Sequence, residues 1–198
     1  MVEPTVYING LFTPLSNAKI SILDRGFCYG DGLFETLRAS NGKIFYIEQH
    51  IDRFFESMQQ ILIELPMTRL ELTKVVQETL ARNKYKNAII RLLVTRGDTQ
   101  SNIQIDSKNH PTLVINIRPY TPLPKAAYKK GIRIMLFQER ANLINGLRLR
   151  LKSCNYLSNV LIKELSDRKN YMEGVVVDPD FGVTEGTTSN IFIVEQGQ

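Results

Sequence analysis

The sequence predicts a mixed α+β (or α/β) chain arranged in two lobes. Three observations carry that expectation: two Asn-Gly hairpin signals near the start, two amphipathic helical runs after them, and a proline-rich stretch followed by a second block of strands and a helix.

The opening TVYINGLFTP sets Asn9-Gly10 between two short strand-like runs, and LFETLRAS and KIFYI flank Asn41-Gly42 in the same way. Asn-Gly takes positive φ readily, so it suits the tight turns that match the twist of paired strands. Between the two hairpins, DRGFCYGDG (residues 24–32) reads as a loop whose three glycines let the backbone approach another group closely.

From Ile47 the period changes. Ile47, Ile51, Phe54, Met58, Ile61 and Leu65 recur at spacings of three and four, predicting a helix closed by Pro66. Thr68 to Glu71 has the form of a capping box and opens a second helix with Leu72, Val75, Val76 and Leu80 on one face. AIIRLLVT (88–95) and TLVINI (112–117) are expected strands joined by a polar loop.

RPYTPLPK (118–125) holds three prolines and reads as a linker. The expected organisation is an N-terminal domain over 1–118, a linker over 119–125 and a second block over 126–198. That block should contain strands at IRIMLF (132–137), LRLRLK (147–152), EGVVVD (173–178) and NIFIVE (190–195), with a helix from about Tyr156 to Asp167.

With 43% hydrophobic and 23% charged residues in 198, the chain has the composition of soluble globular domains with a real core. Two cysteines without a CxxC or a Cys/His cluster give neither a disulfide framework nor a zinc site, so no metal and a reducing compartment are expected. The start MVEPTVYING lacks the basic and apolar regions of a leader, and no run approaches membrane-spanning length; the expected localisation is cytoplasmic. A net charge of +5 spread along the chain suits a small anionic ligand and suggests nucleic acid only weakly. HExxH, GxSxG, GxGxxG and Walker patterns are absent, and His50 reads as a helix-face residue rather than a base.

Three stretches carry candidate chemistry. In LRLRLKSCNY, alternation sends Arg148, Arg150 and Lys152 to one side of a strand, just before helical spacing begins at Leu157. Neighbouring cations and a helix N-terminus both disfavour an ammonium, which would leave Lys152 a nucleophilic amine able to condense with a carbonyl. The same row can also be read as an edge strand whose cations face water and block aggregation. VTEGTTSNIF offers the Glu185 carboxylate and the hydroxyls of Thr187, Thr188 and Ser189, or simply a capped turn. In EQHIDR, Arg53 borders the apolar stripe and can hold an oxyanion in a bidentate way, or belong with Asp52 to a solvated helix face. An amine, a carboxylate and a guanidinium together are what pyridoxal phosphate requires: a covalent anchor, a partner for the pyridine nitrogen and a phosphate anchor.

Through DRGFCYGDGLFETLR, EQHIDRFFESM, RLLVTRGD, LKSCNYLSNVL and VTEGTTSNIF, in this order and spacing, the chain resembles the fold-type IV pyridoxal-phosphate enzymes. That class holds branched-chain and D-amino acid aminotransferases and 4-amino-4-deoxychorismate lyases. The resemblance implies the D-amino acid aminotransferase-like fold, with the second domain truncated relative to the family, and a homodimer. It implies pyridoxal 5'-phosphate joined to Lys152 as an aldimine, Glu185 on the pyridine nitrogen, Tyr156 on the ring hydroxyl and Arg53 on the phosphate. Thr187, Thr188 and Ser189 would line the phosphate side, and Tyr29, Phe34, Arg38 and Arg91 the substrate pocket.

Departures from the family pattern bear on the substrate. GDTQSNIQ lacks the Arg and His that follow TRG in D-amino acid aminotransferases, and Ile89 stands where branched-chain enzymes have Tyr. Thr36 stands where those enzymes have Gly and where the lyases carry a catalytic hydroxyl. The expected activity is amino transfer between an amino acid and a 2-oxo acid. The alternative in the same fold is release of pyruvate from aminodeoxychorismate, with Thr36 catalytic. A non-catalytic or nucleic-acid-binding protein on the same fold is the remote third reading.

Overall fold

Antiparallel pairing between distant parts of the chain builds the first of the two sheets found among the described residues. A computed structural model of the chain describes residues 3–98, 103–105, 110–138 and 151–197. These fall into two compact units, one within Met1–Thr121 and Arg150–Cys154, the other within Pro122–Leu149 and Asn155–Gln198.

The first unit opens with β1 (Thr5–Ile8) and β2 (Leu11–Pro14), followed by the short helix α1 (Arg25–Tyr29). β3 (Gly32–Ser40) and β4 (Lys43–Ile44) lead into helices α2 (Ile47–Gln60) and α3 (Arg69–Asn83), then β5 (Ala88–Thr95) and β6 (Thr112–Pro119). The sheet order is β2-β1-β6-β5-β3-β4, antiparallel throughout. Both Asn-Gly pairs turn as expected, with φ of 46° and 96° at Asn9 and Gly10, and 50° and 77° at Asn41 and Gly42.

Strand parity then decides which side chains face the helices. Leu33, Leu37, Ile90, Leu92, Ile115 and Ile117 form one core with Ile51, Phe54 and Met58 of α2 and Leu72, Val76 and Leu80 of α3. The capping box is present: the Thr68 side chain accepts from the Glu71 N–H, and the Glu71 carboxylate accepts from the Thr68 N–H. The other face carries the rows Phe34–Leu93–Val114, Thr36–Arg91–Asn116 and Arg38–Ile89–Arg118.

In the second unit, helix α4 (Lys125–Lys130) precedes β7 (Ile134–Gln138), α5 (Leu157–Arg168), β8 (Glu173–Asp178) and β9 (Gly182–Gly186). β7 and β8 are parallel, β8 and β9 antiparallel, with an irregularity between Val176 and Val177. Gly174 lets α5 lie close on β8: a Cβ there would stand 2.4 Å from Ile162 Cγ2 and 2.8 Å from Ser166 Oγ.

Several expectations need correction. DRGFCYGDG is not all loop, because Asp24 caps α1 by accepting from the Gly26 N–H, and Gly30 ends it at φ 68°. The KIFYI strand stops at Ile44; Tyr46 turns left-handed and starts α2 instead. NIFIVE forms no strand, since the β9 ladder ends at Gly186 and Phe192, Ile193 and Val194 are exposed. The proline-rich stretch lends its first residues to β6 and its last to α4. Of LRLRLK, residues 147–150 lie outside the described residues; Leu151 packs against the first unit's core.

Candidate active site

In the first unit, the candidate residues gather around β3. The segment bearing Lys152 pairs with the start of that strand: Ser153 bridges Leu33, the Phe34 N–H donates to the Lys152 carbonyl at 2.8 Å, and the Cys154 N–H donates to the Gly32 carbonyl at 2.9 Å. A side chain on Gly32 would meet the Val94 carbonyl at 2.6 Å and Cys154 Sγ at 3.2 Å, so the close pairing depends on glycine there. Lys152 is exposed, and its Nζ lies 5.7 Å from the centroid of the buried Phe34 ring. Arg91 stands over the same ring at 4.0 Å and donates from Nη1 to Thr36 Oγ1 at 3.1 Å. The Arg38 guanidinium lies 3.9 Å from the Tyr120 ring centroid. Phe34, Thr36, Arg38 and Arg91 therefore share the sheet face turned away from α2 and α3.

Arg53 is reached from the helix-facing side. Parity places Glu35 among core residues, where an unpartnered carboxylate would be costly. It is instead partnered by α2: Arg53 donates from Nε to Glu35 Oε1 at 2.5 Å and from Nη2 to Oε2 at 2.7 Å, while His50 Nδ1 lies 3.0 Å from Oε2. Burial alone would raise the Glu35 pKa, but His50 and Arg53 outweigh it and hold it lowered to about 2. The Arg53 side chain is 51% exposed, and among the described residues its Nη1 edge has no partner.

Tyr29, half exposed at the end of α1, has the Arg25 guanidinium 5.2 Å from its ring centroid. Its loop is pinned by Asp31, which accepts from Arg25 Nε at 2.7 Å and from Arg96 Nε and Nη2 at 2.8 and 3.0 Å.

In the second unit, Glu185 is exposed on β9, paired with Val176. The loop after it closes on Glu173. Thr187 Oγ1 and the Gly174 N–H donate to Glu173 Oε1, the latter at 2.9 Å. Thr188 Oγ1 and Ser189 Oγ donate to Oε2 at 3.0 and 2.8 Å. Burial would raise the Glu173 pKa, yet these donors leave it below the ordinary value. Tyr156 Oη and Asn159 Nδ2 each donate to the Thr187 carbonyl at 3.1 Å.

Lys152, Phe34, Thr36, Arg38, Arg53, Arg91 and Tyr29 thus belong to the first unit, and Glu185, Tyr156, Thr187, Thr188 and Ser189 to the second. Glu35, His50 and Glu173 were not among the sequence candidates. For Glu35 a signal existed, since a carboxylate at inward parity in LFETL has to find hydrogen-bonding partners. Among the described residues no His/Cys/Asp/Glu group could hold a metal, and no helix is long and apolar enough to cross a membrane.

Comparison with known proteins agrees with this arrangement of elements. The family model described as amino-transferase class IV matches residues 32–198. A Methanocaldococcus jannaschii protein named as a branched-chain-amino-acid aminotransferase is 38% identical over 192 residues, covering 97% of this chain and 66% of its own length. A D-alanine aminotransferase of Staphylococcus epidermidis is 32% identical over the same coverage of 97% and 66%. The solved structure of a branched-chain aminotransferase from the thermophilic archaeon Thermoproteus uzoniensis, with norvaline, superimposes with a TM-score of 0.86 at 25% identity, over 98% of this chain and 66% of that one. The chain spans about two thirds of the length of these proteins.

Proposed function

The chain belongs to the amino-transferase class IV family, and from that premise we propose that it transfers an amino group between an amino acid and a 2-oxo acid with pyridoxal 5'-phosphate as cofactor. The observation that carries this reading is the setting of Lys152, an exposed amine tied by its backbone to β3 and lying over the Phe34 ring that Arg91 also covers.

The donor set fits that cofactor: an accessible amine, a guanidinium with a free Nη1 edge, and an exposed carboxylate at a strand end. Lys152 would bond the cofactor's aldehyde carbon, Arg53 would take a phosphate oxygen, Glu185 the pyridine nitrogen and Tyr156 the ring hydroxyl. Thr187, Thr188 and Ser189 donate their hydroxyl protons to Glu173, and the Thr187 and Thr188 N–H groups are also bonded within the unit, so this loop would support the strand end that carries Glu185. When bound, the cofactor supplies an electron sink that makes the substrate's α-proton acidic.

The protein's own residues then have distinct tasks. Lys152 Nζ would take that proton from the substrate α-carbon and deliver it to the cofactor's former aldehyde carbon, working as a general base and then a general acid beside an aromatic ring. Glu35 grips Arg53 through Nε and Nη2, which fixes the plane of the guanidinium and leaves Nη1 for an anion. Arg38, Arg91 and Arg118 stand on the face of the sheet away from α2 and α3, whose named rows contain no acid, so the field there favours carboxylate substrates. Tyr29, Phe34, Arg38 and Arg91 are the proposed substrate-pocket residues. The same reading takes the protein to be a cytoplasmic homodimer, the dimer being open to sedimentation.

Release of pyruvate from aminodeoxychorismate is the second reading, favoured by one contact. Thr36 Oγ1 accepts from Arg91 Nη1, which leaves the hydroxyl's own proton available at that oxygen. Assaying amino transfer to a 2-oxo acid against pyruvate release separates the two. Amino transfer that survives Thr36→Val supports the first reading, and pyruvate release lost in that variant supports the second.

A further inference from the structure

Glu173 concentrates the polar bonding of the second unit. It is 6% exposed and begins β8, with Gly174 flat against α5. Among the described residues no cation pairs with it. Its two oxygens are satisfied by neutral donors: the Gly174 N–H, three side-chain hydroxyls and, at 3.4 Å, the Thr188 N–H. A carboxylate offers about four acceptor directions, so this one is fully used.

All three hydroxyls come from the loop that follows Glu185. The loop is held at further points: the Thr187 N–H donates to the Gly174 carbonyl at 3.0 Å, the Gly186 N–H to the Ser189 carbonyl at 3.2 Å, and the Thr187 carbonyl accepts from Tyr156 and Asn159. Thr187 is completely buried, whereas Glu185, two residues earlier, is exposed. Each hydroxyl has one proton, and here all three are given to Glu173. An amide at position 173 would offer one acceptor oxygen and turn two donors toward hydroxyls that now donate.

We propose that Glu173 is a positioning residue: its buried carboxylate gathers Thr187, Thr188 and Ser189 and thereby fixes the direction in which Glu185 presents its own carboxylate to the cofactor's pyridine nitrogen. The inference rests on the cofactor reading above and assigns the three hydroxyls to Glu173 rather than to the phosphate.

The test is the pH titration of visible absorbance, recorded on the full chain at saturating pyridoxal 5'-phosphate. Wild type is compared with Glu173→Gln, Glu185→Gln, the double variant, and Thr188→Ala with Ser189→Ala, which leaves the carboxylate in place should Glu173→Gln fail to fold. The expected result is that Glu173→Gln moves the midpoint in the same direction as Glu185→Gln, by on the order of half a unit, about a threefold change in the proton equilibrium. The double variant should go no further than Glu185→Gln alone, and the paired alanine variant should move the same way by less. A Glu173→Gln titration that overlays wild type while Glu185→Gln shifts overturns the inference alone. So does a paired alanine variant whose only defect is weaker cofactor affinity, because the hydroxyls would then face the phosphate. A wild-type chain that gains no visible absorbance overturns the cofactor reading and the inference together.

Discussion

The Phe34 N–H donates to the Lys152 carbonyl at 2.8 Å, so the residue whose ring lies under the lysine amine also holds the lysine backbone. Position and environment of Nζ are thereby set by one side chain and one strand. Phe34→Ala should cost about 3 kcal/mol, as for truncation of a buried aromatic. Phe34→Leu, which keeps much of the volume, should cost about 1 kcal/mol and remove the π face from both Lys152 and Arg91. Urea melts of the two variants check the order, and reduced cofactor uptake is expected in both.

Glu35 makes acid stability a readout of the Arg53 clamp. Its folded-state pKa of about 2 lies below the ordinary 4.5, so the folded chain binds fewer protons than the unfolded chain between those values. The stabilisation is fully present above the ordinary value and is lost as pH falls through it toward the folded one. Between about pH 5 and about pH 2, wild type should lose on the order of 3 kcal/mol more than Glu35→Gln. Denaturant midpoints measured at several pH values show this as a flatter acid branch in the variant.

The two thiols should differ in reactivity. Burial pushes the Cys154 thiol up to about 11, with Arg91 opposing and Asp24 and Asp31 adding to the rise, whereas Cys28 is exposed. Alkylation of the native protein at neutral pH should label Cys28 first, with Cys154 reacting at a comparable rate only in denaturant. Peptide mass spectrometry at timed intervals gives the two rates.

Gly186 is tightly enclosed. A Cβ there would lie 2.4 Å from Ser189 Oγ and 3.0 Å from the Ser189 carbonyl oxygen. Gly186→Ala should therefore destabilise the protein by roughly 1–3 kcal/mol. Adding Ser189→Ala should recover part of that loss, because it removes the nearer obstacle but not the carbonyl; thermal midpoints of the single and double variants measure it.

Local features were readable from the chain. The two Asn-Gly turns, the start of α2 and the Thr68–Glu71 capping box depend on neighbours within a few residues, and β8 begins and ends at EGVVVD as expected; α2, expected to run on to Pro66, ends instead at Gln60, with Leu62 left-handed just beyond it. The place of β6 between β1 and β5 was not readable, because it arises from pairings such as Tyr7 with Ile115, far apart in sequence. The role of Glu173 was hidden for the same reason: its partners lie 14 to 16 residues away, and an acid at the head of a valine run looks like an ordinary strand end. NIFIVE shows the opposite failure, a strong strand pattern without a partner strand among the described residues. The individual site candidates came from family resemblance and stand as proposals, and Glu35 and His50 behind Arg53 emerged only once β3 lay against α2.

The most direct measurement is to incubate the chain with pyridoxal 5'-phosphate, reduce it with borohydride and map the modified peptide. A pyridoxyl group on Lys152, absent from Lys152→Ala while that variant stays folded, is the predicted result. Modification of another lysine in preference, or none at all on a folded wild-type chain, would contradict the assignment of Lys152 as the anchoring amine.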